Sequence, residues 1–270
     1  RMMKTINRLV LVLLFSIRIF LSNAHELVDY VNPMIGATTL DNIGNTDLGL
    51  GKTFPGVCTP FGLVQLSPDT RLLGWDACSG YHYSDSTLLG FSHTHLSGTG
   101  CIDLGDILFR PTVNDVTLQT QGDIYRPASF SHHTEKAVPG YYSVTLDDEQ
   151  IKAELTATTY AGMHRYTYPE GKEARIIIDL AHLLTEEFIY EAELKQTADN
   201  ELVGMRNTRG WVDNQHIYFV AQFSKPLKSV QFISDGKETT DAKEVKGNRI
   251  QAVAGFGISV FVCHCERCGS

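Results

Sequence analysis

Residues 151–160 read IKAELTATTY. Ile151, Ala153, Leu155 and Ala157 alternate there with Lys152, Glu154, Thr156 and Thr158. Alternation with a period of two places every second side chain on one face of an extended chain, so this is a strand with one dry and one wet face. A dry face needs a second layer to cover it. Working outward, YYSVTL (141–146), MHRYTY (163–168), RIIIDL (175–180), HIYFVAQF (216–223) and KSVQFIS (228–234) are also short runs rich in β-branched and aromatic residues. DDEQ (147–150), PEGK (169–172) and SDGK (234–237) punctuate several of them with turn-forming residues. The pattern predicts an all-β chain, an antiparallel β-sandwich.

Before these runs, residues 28–68 are rich in Gly, Pro, Thr and Asn, which predicts loops interleaved with short strands. The one stretch with a helical aspect is AHLLTEEFIYEAELKQ (181–196), where the apolar spacing is mixed and the start reads equally as the end of a strand. No internal repeat or low-complexity linker divides the chain, so a single large domain is expected.

With 270 residues and 43% hydrophobic content, the chain can bury a sizeable core. A formal charge of -8 and no long basic run offer nothing to a phosphate backbone, so nucleic acid is not an expected partner. The start combines basic RMMKTINR (1–8), an apolar run LVLVLLFSIRIFL (9–21) broken by Arg18, and SNA (22–24) with small residues at Ser22 and Ala24. Residues 1–24 are therefore expected to be a secretion signal, because a spanning helix needs about 20 uninterrupted apolar residues. Export to the periplasm or medium follows, with no membrane span after cleavage.

Six cysteines in an exported chain invite disulfides, yet Cys58, Cys78 and Cys101 are scattered while CHCERC (263–268) crowds the rest. A zinc site in that cluster lacks a second pair of ligands at workable spacing, so no structural metal is expected.

The densest polar chemistry is FSHTHLSGTGCIDLGD (91–106). His93 and His95 lie two apart and share a face if the segment is extended, which suits two metal ligands, two donors to one sugar, or a mutually satisfied structural pair. Ser92, Ser97 and Thr99 become nucleophiles only if a histidine and an orienting acid converge on them. Just upstream, Trp75 and Asp76 pair an indole face with a carboxylate, as a pyranose ring wants, although a core role for Trp75 uses the same residue type.

VNPMIG (31–36), TFPGVCTPFGLVQLSPDT (53–70), GWDACSGYHYSDSTLLGFSHTHLSGTGCIDLGDILF (74–109), PGYYSVTLDD (139–148) and RGWVDNQHIYFVAQFSKP (209–226) together resemble the N-terminal part of the glycoside hydrolase family 92 α-mannosidases. The resemblance runs from about Val31 to about Pro226. It implies an N-terminal β-sandwich at residues 25–262 packed on a larger C-terminal α/α barrel. The implied activity is exo-acting, calcium-dependent hydrolysis of α-mannosides with inversion.

In that family the acid, the base and the calcium ligands lie in the barrel, so no catalytic residue, metal ligand or cofactor is expected within this chain. Calcium belongs to the full-length enzyme. The fragment is expected to contact mannose-containing glycans and the barrel without turning over substrate. By the same resemblance Phe61, Gly62, Trp75, Asp76, Cys78, His93, His95 and Ser97 fall in pocket-proximal motifs and are the substrate-binding candidates. Two departures stand out. Lys52 occupies a position where the family usually has Asn. Residues 263–270 do not resemble the family and are expected to be a frameshifted or truncated reading.

Overall fold

A computed structural model describes residues 26–38, 52–72, 78–98, 102–116, 126–184, 188–239 and 242–257, and the backbone alone of 258 and 261–269. The chain divides into two compact units, Arg1–Asn32 and Pro33–Ser270. The described part of the first is a short 3-10 turn at Leu27–Tyr30, where the Glu26 amide donates to Asp29 Oδ2 at 3.1 Å. The secretion signal expected at residues 1–24 lies outside the described residues, as do Trp75, Asp76, Thr99 and Cys101. No helix among the described residues is long and apolar enough to cross a membrane.

The second unit is built of strands. In chain order they are β1 (Val57–Cys58), β2 (Gln65–Asp69), β3 (Thr87–Leu88), β4 (Gly90–Ser92), β5 (Leu108–Thr112) and β6 (Ala128–Ser129). Then follow β7 (Lys136–Val138), β8 (Tyr141–Leu146), β9 (Ile151–Ala157), β10 (Ala161–Thr167), β11 (Glu173–Asp179), β12 (Phe188–Ala198) and β13 (Glu201–Arg209). The last are β14 (Gln215–Phe223), β15 (Ser229–Ser234), β16 (Lys237–Thr239), β17 (Glu244–Gly247), β18 (Ile250–Ile258) and β19 (Phe261–Gly269). An 8-stranded sheet runs β1-β2-β4-β5-β11-β18-β15-β16, and a 9-stranded sheet runs β17-β12-β13-β14-β19-β10-β9-β8-β7. Both are antiparallel throughout. The strands expected from the apolar runs are β8, β9, β10, β11, β14 and β15, so the antiparallel β-sandwich of the sequence reading is the architecture found.

One apolar core joins the sheets. Leu66, Phe91, Phe109, Ile176 and Ile178 of the smaller sheet pack in one cluster with Leu155, Tyr166, Leu194 and Phe219 of the larger. In β9 the dry face is Ile151, Ala153 and Leu155, as the alternation requires. Glu154 belongs to the opposite face and is nevertheless buried, because Arg165 binds both its oxygens at 2.7 Å and the Tyr141 hydroxyl donates to it at 2.7 Å. Arg165 holds the Glu154 carboxyl down at about 2.

The stretch with a helical aspect is a strand in its second half. Phe188–Ala198 pairs with β13 through two irregularities, near Ile189/Glu191 and Gln196/Ala198. Those bulges explain the mixed spacing: each extra residue shifts the period-two pattern by one, so apolar positions no longer alternate along the segment. The backbone of Phe261–Gly269, which includes most of the segment set apart as a tail, runs between β10 and β14, with Cys265 opposite Gly162 and Ala221.

Candidate functional site

Asp69, the last residue of β2, is fully buried and takes two histidines. His95 Nε2 lies 2.7 Å from its Oδ1 and His182 Nε2 lies 2.8 Å from its Oδ2. A buried carboxylate survives only when charge and hydrogen bonds replace its lost water. Burial pushes the Asp69 carboxyl up, but the charge of His95 and the hydrogen bonds from His182 and His95 outweigh it and hold the group below the usual carboxylate range. His95 Nδ1 faces the Gln65 carbonyl at 2.6 Å. Both ring nitrogens of His95 thus face oxygen acceptors, the Gln65 carbonyl and the Asp69 carboxylate.

Ser92 Oγ also lies 3.0 Å from His95 Nε2. This is not a nucleophile with its base. A serine triad places hydroxyl and carboxylate on opposite ring nitrogens, whereas here both meet Nε2 and a backbone carbonyl holds Nδ1.

The other histidine of the pair departs toward the core. His93 Nδ1 donates to the Ile107 carbonyl at 2.6 Å, so its Nε2 is an acceptor and receives the His164 Nε2–H at 3.0 Å. His164 Nδ1 in turn accepts from the Tyr166 hydroxyl at 2.8 Å. Both rings are neutral in this directed chain. Burial pushes His93 down to about 4, and burial together with His93 holds His164 well below the ordinary imidazole value. The shared face expected for His93 and His95 is therefore divided between two networks, because β4 ends at Ser92 and the chain leaves the strand there.

Gln65 ties this cluster to the Thr59–Gly62 turn. Its side-chain amide donates to the Gly62 carbonyl at 2.7 Å, while its backbone carbonyl holds His95. In the turn the Gly62 amide donates to the Thr59 carbonyl at 2.9 Å, with Pro60 and Phe61 at its centre. Phe61 has φ 58°, in the left-handed region, and its side chain is wholly exposed at 106%. Pro then a positive φ is the pattern of a type II turn, which ordinarily places glycine where Phe61 stands. The ring is thus held out into solvent on a strained backbone.

Gly80 closes the other side. Its carbonyl accepts from the Thr70 amide at 2.7 Å, and it has φ 82°. A Cβ there would stand 2.2 Å from Asp69 Oδ1, so only glycine lets this segment lie on the carboxylate. Cys78, two residues before it, is buried. Ser97 is exposed, and beside it the Gly98 amide donates to the Lys52 carbonyl at 2.6 Å. That bond uses the backbone of Lys52, which any residue at the position supplies.

The structure thus brings Phe61, Gly62 and His95 together through Gln65, buries Cys78, and leaves Ser97 exposed. Sequence reading missed Asp69, His182, His164 and Arg206. The one visible signal was in β10, where Gly162, His164 and Tyr166 share the dry face and make His164 a buried polar residue in need of a partner.

The nearby carboxylates are committed to donors. Asp103 accepts from the backbone amides of Leu104 at 2.8 Å and Trp211 at 2.9 Å. Asp106 accepts from Arg206, Thr94 and Gln215. Hydrolysis of a glycoside needs one carboxyl to give a proton and another to activate water, and calcium needs several oxygens free to converge. Asp69, Asp103 and Asp106 have their oxygens on the internal donors named above. Among the described residues no three His, Cys, Asp or Glu side chains are grouped to hold a metal ion.

Comparison with known proteins identifies the fold and the family. The Glycosyl hydrolase family 92 N-terminal domain matches residues 30–259. The structure is similar to the family GH92 alpha-mannosidase BT3965 from Bacteroides thetaiotaomicron, with a TM-score of 0.79 and 36% identity over 90% of this chain and 33% of that one. The inverting mannosidase BT2199 from the same species shares the fold, with a TM-score of 0.74 and 24% identity over 92% of this chain and 32% of that one. An uncharacterized secreted glycosidase of Arthroderma benhamiae is 29% identical over 143 residues, which are 49% of this chain and 18% of that protein. The chain spans about a third of the length of the solved mannosidases it resembles. It belongs to glycosyl hydrolase family 92, and its β-sandwich is that family's N-terminal domain.

Proposed function

We propose that this domain is the non-catalytic, substrate-contacting wall of an exported, calcium-dependent exo-α-mannosidase. The hydrolytic carboxylates and the calcium ligands then belong to a C-terminal α/α barrel packed on it. The observation that carries this reading is the contrast at one edge of the sandwich: the wholly exposed Phe61 ring is held out through strained backbone, while the described carboxylates Asp69, Asp103 and Asp106 are bonded to internal donors. Such an edge is suited to bind and orient a sugar. That a relative 36% identical is an alpha-mannosidase supports mannose as the sugar. The basic start and apolar run of residues 1–24, together with the secreted character of the Arthroderma relative, support export.

The test is a titration of the purified protein with methyl α-mannoside, followed by saturation transfer to the sugar protons, with methyl β-galactoside as control. Transfer to the mannoside alone is the expected outcome. Equal transfer to both sugars, or to neither, contradicts the reading.

A further inference from the structure

A second exposed aromatic stands close to this edge, on the loop between β13 and β14. His95 forms a bridge with Leu104, and the neighbouring Asp103 holds the Trp211 amide at 2.9 Å. Asp103 is buried and divides its two oxygens between the Leu104 and Trp211 amides, so one carboxylate mounts the loop on the segment that carries His95. The approach is close: a Cβ on Gly210 would stand 2.5 Å from Asp103 Oδ1. The backbone under Trp211 is therefore fixed, yet its side chain is 65% exposed. Leaving so much of an indole in water forfeits the burial that usually stabilises a tryptophan.

Two charged residues flank Trp211 along the chain. Arg209 and Asp213, two residues to either side, are 57% and 94% exposed and lie 3.7 Å apart. At that exposure and distance they contribute little to stability as an ion pair. A flat apolar face on a fixed mount, with an exposed guanidinium and carboxylate two residues away along the chain, offers the two groups a pyranose uses: a ring for its C–H bonds and charged partners for its hydroxyls.

We propose that Trp211, with Arg209 and Asp213, is a stacking platform for an outer sugar ring, beyond the one met at the Phe61–His95 edge. This rests on the mannoside reading above and extends it to a second ring. The two positions are linked through one segment: Leu104 bridges His95, and the neighbouring Asp103 holds the Trp211 amide.

The chain has two tryptophans, Trp75 and Trp211, so 5-fluorotryptophan labelling yields two fluorine resonances, which Trp211→Phe assigns. The probes are methyl α-mannoside for one ring and a mixture of α-linked mannobioses for two. The mannobioses should move the Trp211 resonance while methyl α-mannoside leaves it in place. Trp211→Ala should weaken mannobiose binding at least fivefold, keep methyl α-mannoside affinity within twofold and leave the unfolding midpoint unchanged. If mannobiose binds without moving Trp211, if the monosaccharide moves it equally, or if the variant binds mannobiose as the parent does, the platform is refuted and the mannoside reading stands. If neither sugar binds the protein, both fall together.

Discussion

His93 and His164 meet Nε2 to Nε2 at 3.0 Å, one following β4 of the smaller sheet and the other in β10 of the larger. One hydrogen fills that contact. A second proton on His93 sets two N–H groups against each other, and one on His164 forces the Tyr166 hydroxyl to turn from donor to acceptor. Asp69 and Asp106 favour a proton on His93, while burial and the neighbouring His95 oppose it, and burial leads.

The sign of the pH dependence follows. The unfolded chain takes up protons on these histidines below about pH 6.5, whereas folded His93 waits until about pH 4. Stability should therefore be full above pH 6.5 and fall as pH drops toward 4, by roughly 3 kcal/mol from His93 alone. Urea unfolding across this range measures it. In His164→Gln, whose amide keeps one donor toward His93 and one acceptor toward Tyr166 but cannot titrate, the fall should be shallower. A flat profile in the parent protein would refute the neutral chain.

Asp69→Asn offers the second test. An amide presents one acceptor and one donor where the carboxylate presents two acceptors, so it cannot serve His95 and His182 together, and the charge facing His95 is lost. Breaking a buried charged pair at one partner typically costs about 3–5 kcal/mol, and the unfolding free energy should fall within that range. A loss below about 1 kcal/mol would show that the cluster does not depend on the charge.

Phe61→Gly separates stability from binding. Glycine suits φ 58° and the wholly exposed ring gives up no packing, so relief of the strain should raise stability by about 1 kcal/mol. The same change should weaken the transfer of saturation to methyl α-mannoside. Destabilisation would mean that the ring packs on the protein, and undiminished transfer would remove Phe61 from the sugar edge.

How far these features could be read beforehand depended on the distance along the chain at which each was decided. β9 was legible because alternation from Ile151 to Ala157 is local and one face is dry. β12 was not, since its two bulges broke the period that identifies a strand. His93 and His95 stood out as a pair, but what each one does is set by His164, 71 residues from His93, and by Asp69, 26 residues from His95. His182 meets Asp69 across 113 residues. Such convergence is a product of sheet order, which motif spacing does not carry. The positive φ of Phe61 was half visible, since Thr59-Pro60-Phe61-Gly62 announces a turn but leaves open which central residue takes the left-handed backbone.

Binding without turnover is tested most directly in one tube: purified protein with 4-nitrophenyl α-mannoside, with and without calcium, followed by proton NMR. The account predicts saturation transfer to the mannose ring while the glycoside stays intact and no 4-nitrophenol is released under either condition. Calcium-dependent release of 4-nitrophenol, or a mannoside that receives no saturation at all, would contradict it.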